Sequence, residues 1–231
     1  MKTAGVGGPE TLPCKLLADE IYALLSLVHS IAANQATLQR HGLSVNSTAT
    51  DTSLLFDLVL IRAIDACQTY VAEALQLVYK KYPAAIGGSE QVDFGLVLRF
   101  DSIEELVTAV VEQKVHDLSY KSMGDLDTYV EKAHGFSLFV NDDQRQRASR
   151  LVDIRNVIVH NRGIVNKRFL DRQPGSGYKL GDPLKINLAE NSGHLIFLME
   201  WIADLDFRVI EKFSLASQPR SPRPKLPLLQ A

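Results

Sequence analysis

Residues 155–166 read RNVIVHNRGIVN, and the reading of this stretch decides the rest. An apolar helical pattern ends here: Ile154, Val157 and Ile158 fall on one side of a helix, and Gly163 supplies the stop. Asp153, Asn156 and His160 fall on another face, at offsets of three, four and seven. Arg155 and His160 are separated by five residues, which is about 140° around a straight helix. The pair therefore does not point one way from a single regular helix. Acting on one ligand requires a reaching Arg side chain, a distorted last turn, or a second copy of the helix completing a composite groove. A polar helix end with no chemical task is the competing reading of the same residues.

Working outward, the surrounding window is basic. Between Gln144 and Arg172 stand Arg145, Arg147, Arg150, Arg155, Arg162, Lys167, Arg168 and Arg172, opposed by Asp153 and Asp171, so the window carries +6. The whole chain carries −2, which leaves −8 elsewhere. A cationic zone on an acidic chain points to an anionic partner, and Arg150, Arg162, Lys167 and Arg168 are the candidate phosphate contacts. A solvated helix face is the alternative.

The remainder reads as helices. Leu16, Leu17, Ile21, Leu24, Leu25, Leu27, Val28 and Ile31 recur at helical steps, and this helix is expected to stop near His41–Gly42. A second runs from about Thr52 to Tyr82, ended by Pro83. It is apolar nearly all round its first half, as a central helix is. Asp57, Arg62 and Asp65 within it are expected to pair structurally. RFDSIEEL opens another helix with a Ser102/Glu105 capping box and a buried stripe of Ile103, Leu106, Val107, Val110, Val111 and Leu118. A short helix covers roughly 125–133. The motif helix starts in FVNDDQRQ, capped by Asn141 or Asp142. The Gly- and Pro-containing segment after it, about 171–190, reads as an irregular excursion or small hairpin. A last helix spans about 192–213. Five or six helices with short connections make an all-α, antiparallel bundle. Residues 1–13 are expected to be a tail, 14–215 the domain, and 216–231 a disordered Pro-rich tail with P-x-x-P spacings.

Several classes are excluded. GVGG and GGSE lack the strand, helix and G-K-[ST] of a phosphate loop. The six His residues, at 29, 41, 116, 134, 160 and 194, show no zinc-ligand spacing, and no cofactor or metal is called for. The apolar run at 54–67 holds Asp57, Arg62 and Asp65, which argues against a membrane span, and no signal peptide is seen. Cys14 and Cys67 read as free thiols in a reduced, cytoplasmic chain.

With Arg155-Asn156 and then His160, the motif resembles the signature of the HEPN superfamily: Arg, commonly a polar residue, and His four to six residues on. The likeness extends over roughly 15–215, through LVYKKYP, FDSIEEL, the G-x-x-L-x-I-N segment at 181–187 and the final IEKF, in the layout of the RiboL-PSP-type and related branches. The resemblance implies an antiparallel helical bundle that dimerises with its motif helices face to face. It implies a metal-independent endoribonuclease, often a toxin held by an antitoxin protein or a defence component. Arg155 would hold the phosphate, His160 would be the acid/base, and Asn156 would assist. A non-catalytic helical module that binds RNA, a nucleotide or a protein partner is the alternative.

Overall fold

The computed structural model describes residues 8–41, 49–86, 93–119 and 123–220. It is an all-α bundle with one minimal strand pair. β1 (Pro9–Glu10) leads into α1 (Leu12–Arg40), followed by α2 (Ala49–Lys81), a 3-10 turn (Pro83–Ile86), α3 (Phe94–Val97), α4 (Ile103–Ser119) and α5 (Met123–His134). Then come α6 (Asp142–Asn161), α7 (Lys167–Arg172), α8 (Leu188–Phe213) and β2 (Gln218–Pro219), which pairs antiparallel with β1.

α2 is the axis of the bundle and packs on α1, α4, α6 and α8. Its inward residues include Leu60, Ala63, Ile64, Cys67, Tyr70, Val71, Val78 and Tyr79, all under a few per cent exposed. Arg62, Thr69, Glu73 and Lys80 form an exposed polar face, and Leu54 and Leu58 are exposed near the start, so the first half is not covered all round as its apolar pattern suggests. The helix ends where Pro83 removes an N–H donor and the chain tightens into the 3-10 turn. Cys14 and Cys67 are both buried free thiols.

Of Asp57, Arg62 and Asp65 in α2, Arg62 pairs with Glu20 of α1, and Asp65 pairs with Arg155 of α6. Asp57 differs: its Oδ1 is buried without a hydrogen-bond partner, and desolvation pushes its pKa up.

α4 opens as expected at Ser102, whose Oγ accepts from Glu105 N at 3.1 Å. The reciprocal bond is shifted by one residue, because the Glu105 carboxylate accepts from Asp101 N. Of the expected buried stripe, Val111 and Leu118 are buried, Leu106, Val107 and Val110 are half-buried, and Ile103 is 76% exposed. α5 ends at His134 with Gly135 at φ 66°, a left-handed position that glycine takes without strain.

Both chain ends depart from the expected tails. Glu10 and Thr11 are buried, and Thr11 bonds twice to the fully buried Asp206 of α8. β1 pairs with β2, and Arg220 N donates to Gly8 O at 3.0 Å. Residues 8–13 and 216–220 therefore belong to the folded unit. The helix stop at Gly42 and the Pro-rich stretch 221–231 lie outside the described residues.

Two further boundaries moved. α8 begins at Leu188 rather than near 192, because Asn187 and Glu190 form a reciprocal capping box. Ahead of the irregular excursion expected at about 171–190, residues 167–172 form a short helix capped by Asn166. A single bridge, Ile164 to Pro183, is the hairpin-like remnant. α1 also carries a stretch, Leu12–Asn34, long and apolar enough by length and composition to cross a membrane, with 28% of its window buried. Its inner face, Ile21, Leu25 and Val28, is fully enclosed in the bundle.

A pH dependence follows from the α5 end. His134 Nε2 sits 2.9 Å from the Tyr79 hydroxyl, among Tyr129 and Phe213. Burial, and then nearby Lys212, hold its pKa below the ordinary histidine value of 6.5. His194 shifts the same way, mainly by burial. Between the folded and unfolded pKa values the unfolded chain binds more protons, so stability is full above the ordinary value and falls as pH drops through it. Urea unfolding between about pH 7 and pH 5 should show a slope of up to about 1.4 kcal/mol per pH unit for each such histidine, and His134→Gln should flatten part of it.

Candidate functional site

α6 is placed by local rules at both ends. Asn141 caps it, accepting from Gln144 N at 2.9 Å, while Gln144 Oε1 accepts from Val140 N, also at 2.9 Å. Asp142 and Asp143 in the first turn complement the helix dipole. At the other end Arg162 is the left-handed cap (φ 53°), Gly163 follows at φ 73°, and Gly163 N returns to Val157 O at 3.1 Å. That closure fixes where the chain turns away and starts α7. Ala148, Leu151, Ile154 and Val157 bury the inner face, with Ile158 packed partly against the core.

The polar face forms a cleft. Asp153, Asn156 and His160 line one wall, and Asn166, Arg168 and Phe169 of the α7 segment line the other, around about 280 Å³. His160 is exposed at the rim. Asp153 is nearly buried and fully engaged: it accepts from Arg172 Nη1 at 3.0 Å and from Gln173 Nε2 at 2.8 Å. These two bonds dock the end of α7 onto α6. On the other side of this tie lies a second cleft of about 230 Å³, lined in part by Met123, Gly124 and Ser149.

Arg155 points elsewhere, as the angular separation requires. Its Nε donates to Asp65 Oδ1 at 3.1 Å, with Nη2 also 3.1 Å from the same oxygen. Nη1 donates to Asn156 Oδ1 at 3.2 Å. The arginine side chain is 25% exposed. Asn156 receives the guanidinium on its oxygen and lines the same cleft as His160. Within one chain, Arg155 and His160 face different neighbours, α2 and α7.

The basic window divides into two kinds of residue. Arg145 pairs with buried Asp127 at 3.2 Å, Arg147 lies 4.1 Å over the Phe197 ring, and Arg155 and Arg172 are tied as above. These four hold the bundle together. Arg150, Arg162, Lys167 and Arg168 are exposed, and none has an ion-pair partner among the described residues. Arg162, Lys167 and Arg168 gather at the end of α6 and the start of α7, beside the cleft. Arg150 lies ten residues before His160, about 15 Å back along the helix axis. The α6 C-terminus presents carbonyl dipoles of negative sign, so an anion at the cleft depends on these three cations.

Sequence reasoning had no hold on Asp65 as the partner of Arg155, or on Arg172 and Gln173 as the partners of Asp153. The first pair spans ninety residues, and no spacing rule connects the two helices. Asn166 was legible in principle as an N-cap before KRFL, with its oxygen accepting from Phe169 N at 2.9 Å. Compared with family models, with characterised proteins and with solved structures, the chain finds no match.

Proposed function

We propose that this chain is a metal-independent endoribonuclease of HEPN type that works as a homodimer, with two α6 C-termini lining one groove. The observation that carries the reading is the exposed His160 at the rim of a cleft that is also lined by Arg168 and by Asn156, the hydrogen-bond partner of Arg155. In this reading the ribose 2′-oxygen attacks the adjacent phosphorus as His160 takes its proton. The 5′-oxygen then leaves, protonated by a second acid, for which the histidine of the other copy is the natural source. Arg155 stabilises the phosphate charge, and Arg162, Lys167 and Arg168 draw in the strand. The HEPN-like arrangement, the toxin or defence role, an antitoxin partner and a cytoplasmic setting belong to the same proposal.

One observation favours a second reading. Arg155 is already held by Asp65 and Asn156 and is three-quarters covered. A guanidinium so engaged serves packing as readily as phosphate, which suits a non-catalytic module that binds RNA, a nucleotide or a protein through the exposed cations.

Labelled single-stranded RNA incubated with the purified chain in excess EDTA, across about pH 6 to 8, tests between them. Cleavage is expected, together with light scattering at twice the chain mass of 25.6 kDa. Intact RNA with salt-sensitive binding that Arg168→Ala weakens would replace the first reading with the second. A strictly monomeric, cleaving protein would sink the composite groove.

A further inference from the structure

The three most exposed large apolar side chains among the described residues sit together at one joint. Phe94 begins the short α3, Leu98 caps it and Ile103 opens α4; they are 74%, 71% and 76% exposed. Val97 beside them is exposed as well. Single exposed apolar residues are ordinary on a surface, whereas a cluster marks a place of contact.

The fold explains why the bundle leaves them uncovered. α4 packs on α2 and on the 3-10 turn, with Val111 and Leu118 buried. Both lie in its second half. Ahead of them Leu106, Val107 and Val110 are only half-buried. These three stand at offsets of three, four and seven from Ile103, so the four share one helix face. Only residues 98–102 separate α3 from α4, and hydrogen bonds order that joint. Arg99 N donates to Leu96 O at 3.1 Å, and Glu105 N donates to Ser102 Oγ at 3.1 Å. The result is an apolar strip running from Phe94 through Leu98 to the first turns of α4.

The charge around the strip is one-sided. Asp93, Asp101, Glu104, Glu105 and Glu112 are exposed against Arg99 alone, a formal sum of −4 over residues 93–112. None of the six has an ion-pair partner among the described residues. The helix dipole accounts for the acids at the start of α4, but not for Glu112 or for the apolar side chains among them.

That sum selects the occupant. RNA and anionic lipid headgroups are repelled. A second copy docked here about a two-fold axis sets −4 against −4. A protein helix with apolar anchors on one face and lysine or arginine beside them meets both features.

We propose that the α3–α4 strip docks a basic amphipathic helix of a partner protein, with its apolar anchors on Phe94, Leu98 and Ile103 and its cations against Glu104, Glu105 and Glu112. No residue of the strip lines the cleft at His160, and the proposal holds whether or not the chain cuts RNA.

Anisotropy titration of the full chain with a labelled helical peptide of about 18 residues, leucines on one face and lysines on the other, tests it. A second peptide carries glutamate at every lysine position. The lysine peptide should saturate at one per chain and bind at least about tenfold more tightly than the glutamate peptide. Leu98→Asp combined with Ile103→Asp should weaken it by about tenfold or more, with circular dichroism and particle mass unchanged, because both side chains are exposed. If that variant fails to fold, Leu98→Ser with Ile103→Ser replaces it. Glu104→Lys with Glu112→Lys should weaken the lysine peptide and remove most of its salt dependence. Equal binding of the two peptides, binding without saturation at one per chain, or wild-type affinity in the apolar variant would each overturn the proposal. So would a fall in particle mass in that variant, which would make a second copy the occupant, or vesicles of phosphatidylserine bound by wild type and lost in that variant.

Discussion

Replacing His160 with alanine is expected to lower single-turnover RNA cleavage by about 10²–10⁴-fold, the range a positioned general acid/base contributes. The prediction has a clean control in the structure. His160 is exposed, and the helix is closed behind it by Gly163 N on Val157 O and by Arg162 as the cap. Removing an exposed side chain there should change stability by no more than about 0.5 kcal/mol. RNA affinity should hold as well, because Arg162, Lys167 and Arg168 are untouched. Loss of rate with melting and binding preserved would single out proton transfer. Equal cleavage by His160→Ala and wild type, at matched folding, would remove His160 from the chemistry and with it the nuclease reading of α6.

Arg155→Ala should behave differently, and the contrast is informative. That side chain bridges α6 to α2 through Asp65 and holds Asn156 at the cleft wall. Truncation leaves the Asp65 carboxylate without this partner and frees Asn156, so rate and stability fall together. A variant that loses both cannot separate catalysis from packing, and for that reason His160 carries the test.

What could be read in the sequence was local. The central place of α2 followed from its apolar first half, although Leu54 and Leu58 there are exposed, and its end followed from Pro83. A cap at Asn141 or Asp142, of which the structure uses Asn141, and Gly163 as a stop were both chemical signatures within four residues of the boundary they set. The common face of Asp153, Asn156 and His160 followed from helical period alone, and so did the divergence of Arg155. What could not be read was non-local. Nothing in the spacing of Asp65, Asp153 or Asp206 says that they receive Arg155, Arg172 and Thr11, because those pairings are set by how whole helices pack. The basic window illustrates the limit: eight cations in one stretch of sequence become four tied side chains and four without an ion-pair partner among the described residues only after α2, α5, α7 and α8 are in place. The pairing of β1 with β2 and the burial of Glu10 and Thr11 were missed for the same reason, since Pro, Gly and Ser near a terminus read as a tail until a partner strand is known.

The largest expected loss of stability lies at that missed junction. Asp206→Ala should destabilise the fold by about 3–5 kcal/mol, measured by urea denaturation at neutral pH. Asp206 is fully buried in α8 and accepts three bonds: Thr11 N at 2.9 Å, Thr11 Oγ1 at 2.5 Å and Tyr70 Oη at 2.9 Å. It thereby joins the start of α1, the middle of α2 and α8 at one point. Alanine leaves those donors unreceived in a site with little access to water, and each uncompensated buried group costs about 1–3 kcal/mol. The sum is held below the simple total because the segment carrying Thr11 can move outward to solvent once released. Tyr70→Phe removes one donor along with its bond and should cost only about 1 kcal/mol. The gap between the two variants measures the orphaned donors rather than the bonds themselves. A domain of ordinary stability, about 5–15 kcal/mol, stays folded or nearly so after the larger change. Amide exchange at the first turn of α1 should rise more than exchange in α6, because the released junction is at Thr11 and Cys14 and far in sequence from Arg155. A loss under about 1 kcal/mol for Asp206→Ala would mean that water or a shifted Thr11 replaces the carboxylate readily, and that apolar packing of α1 against α2 and α8 alone holds the junction.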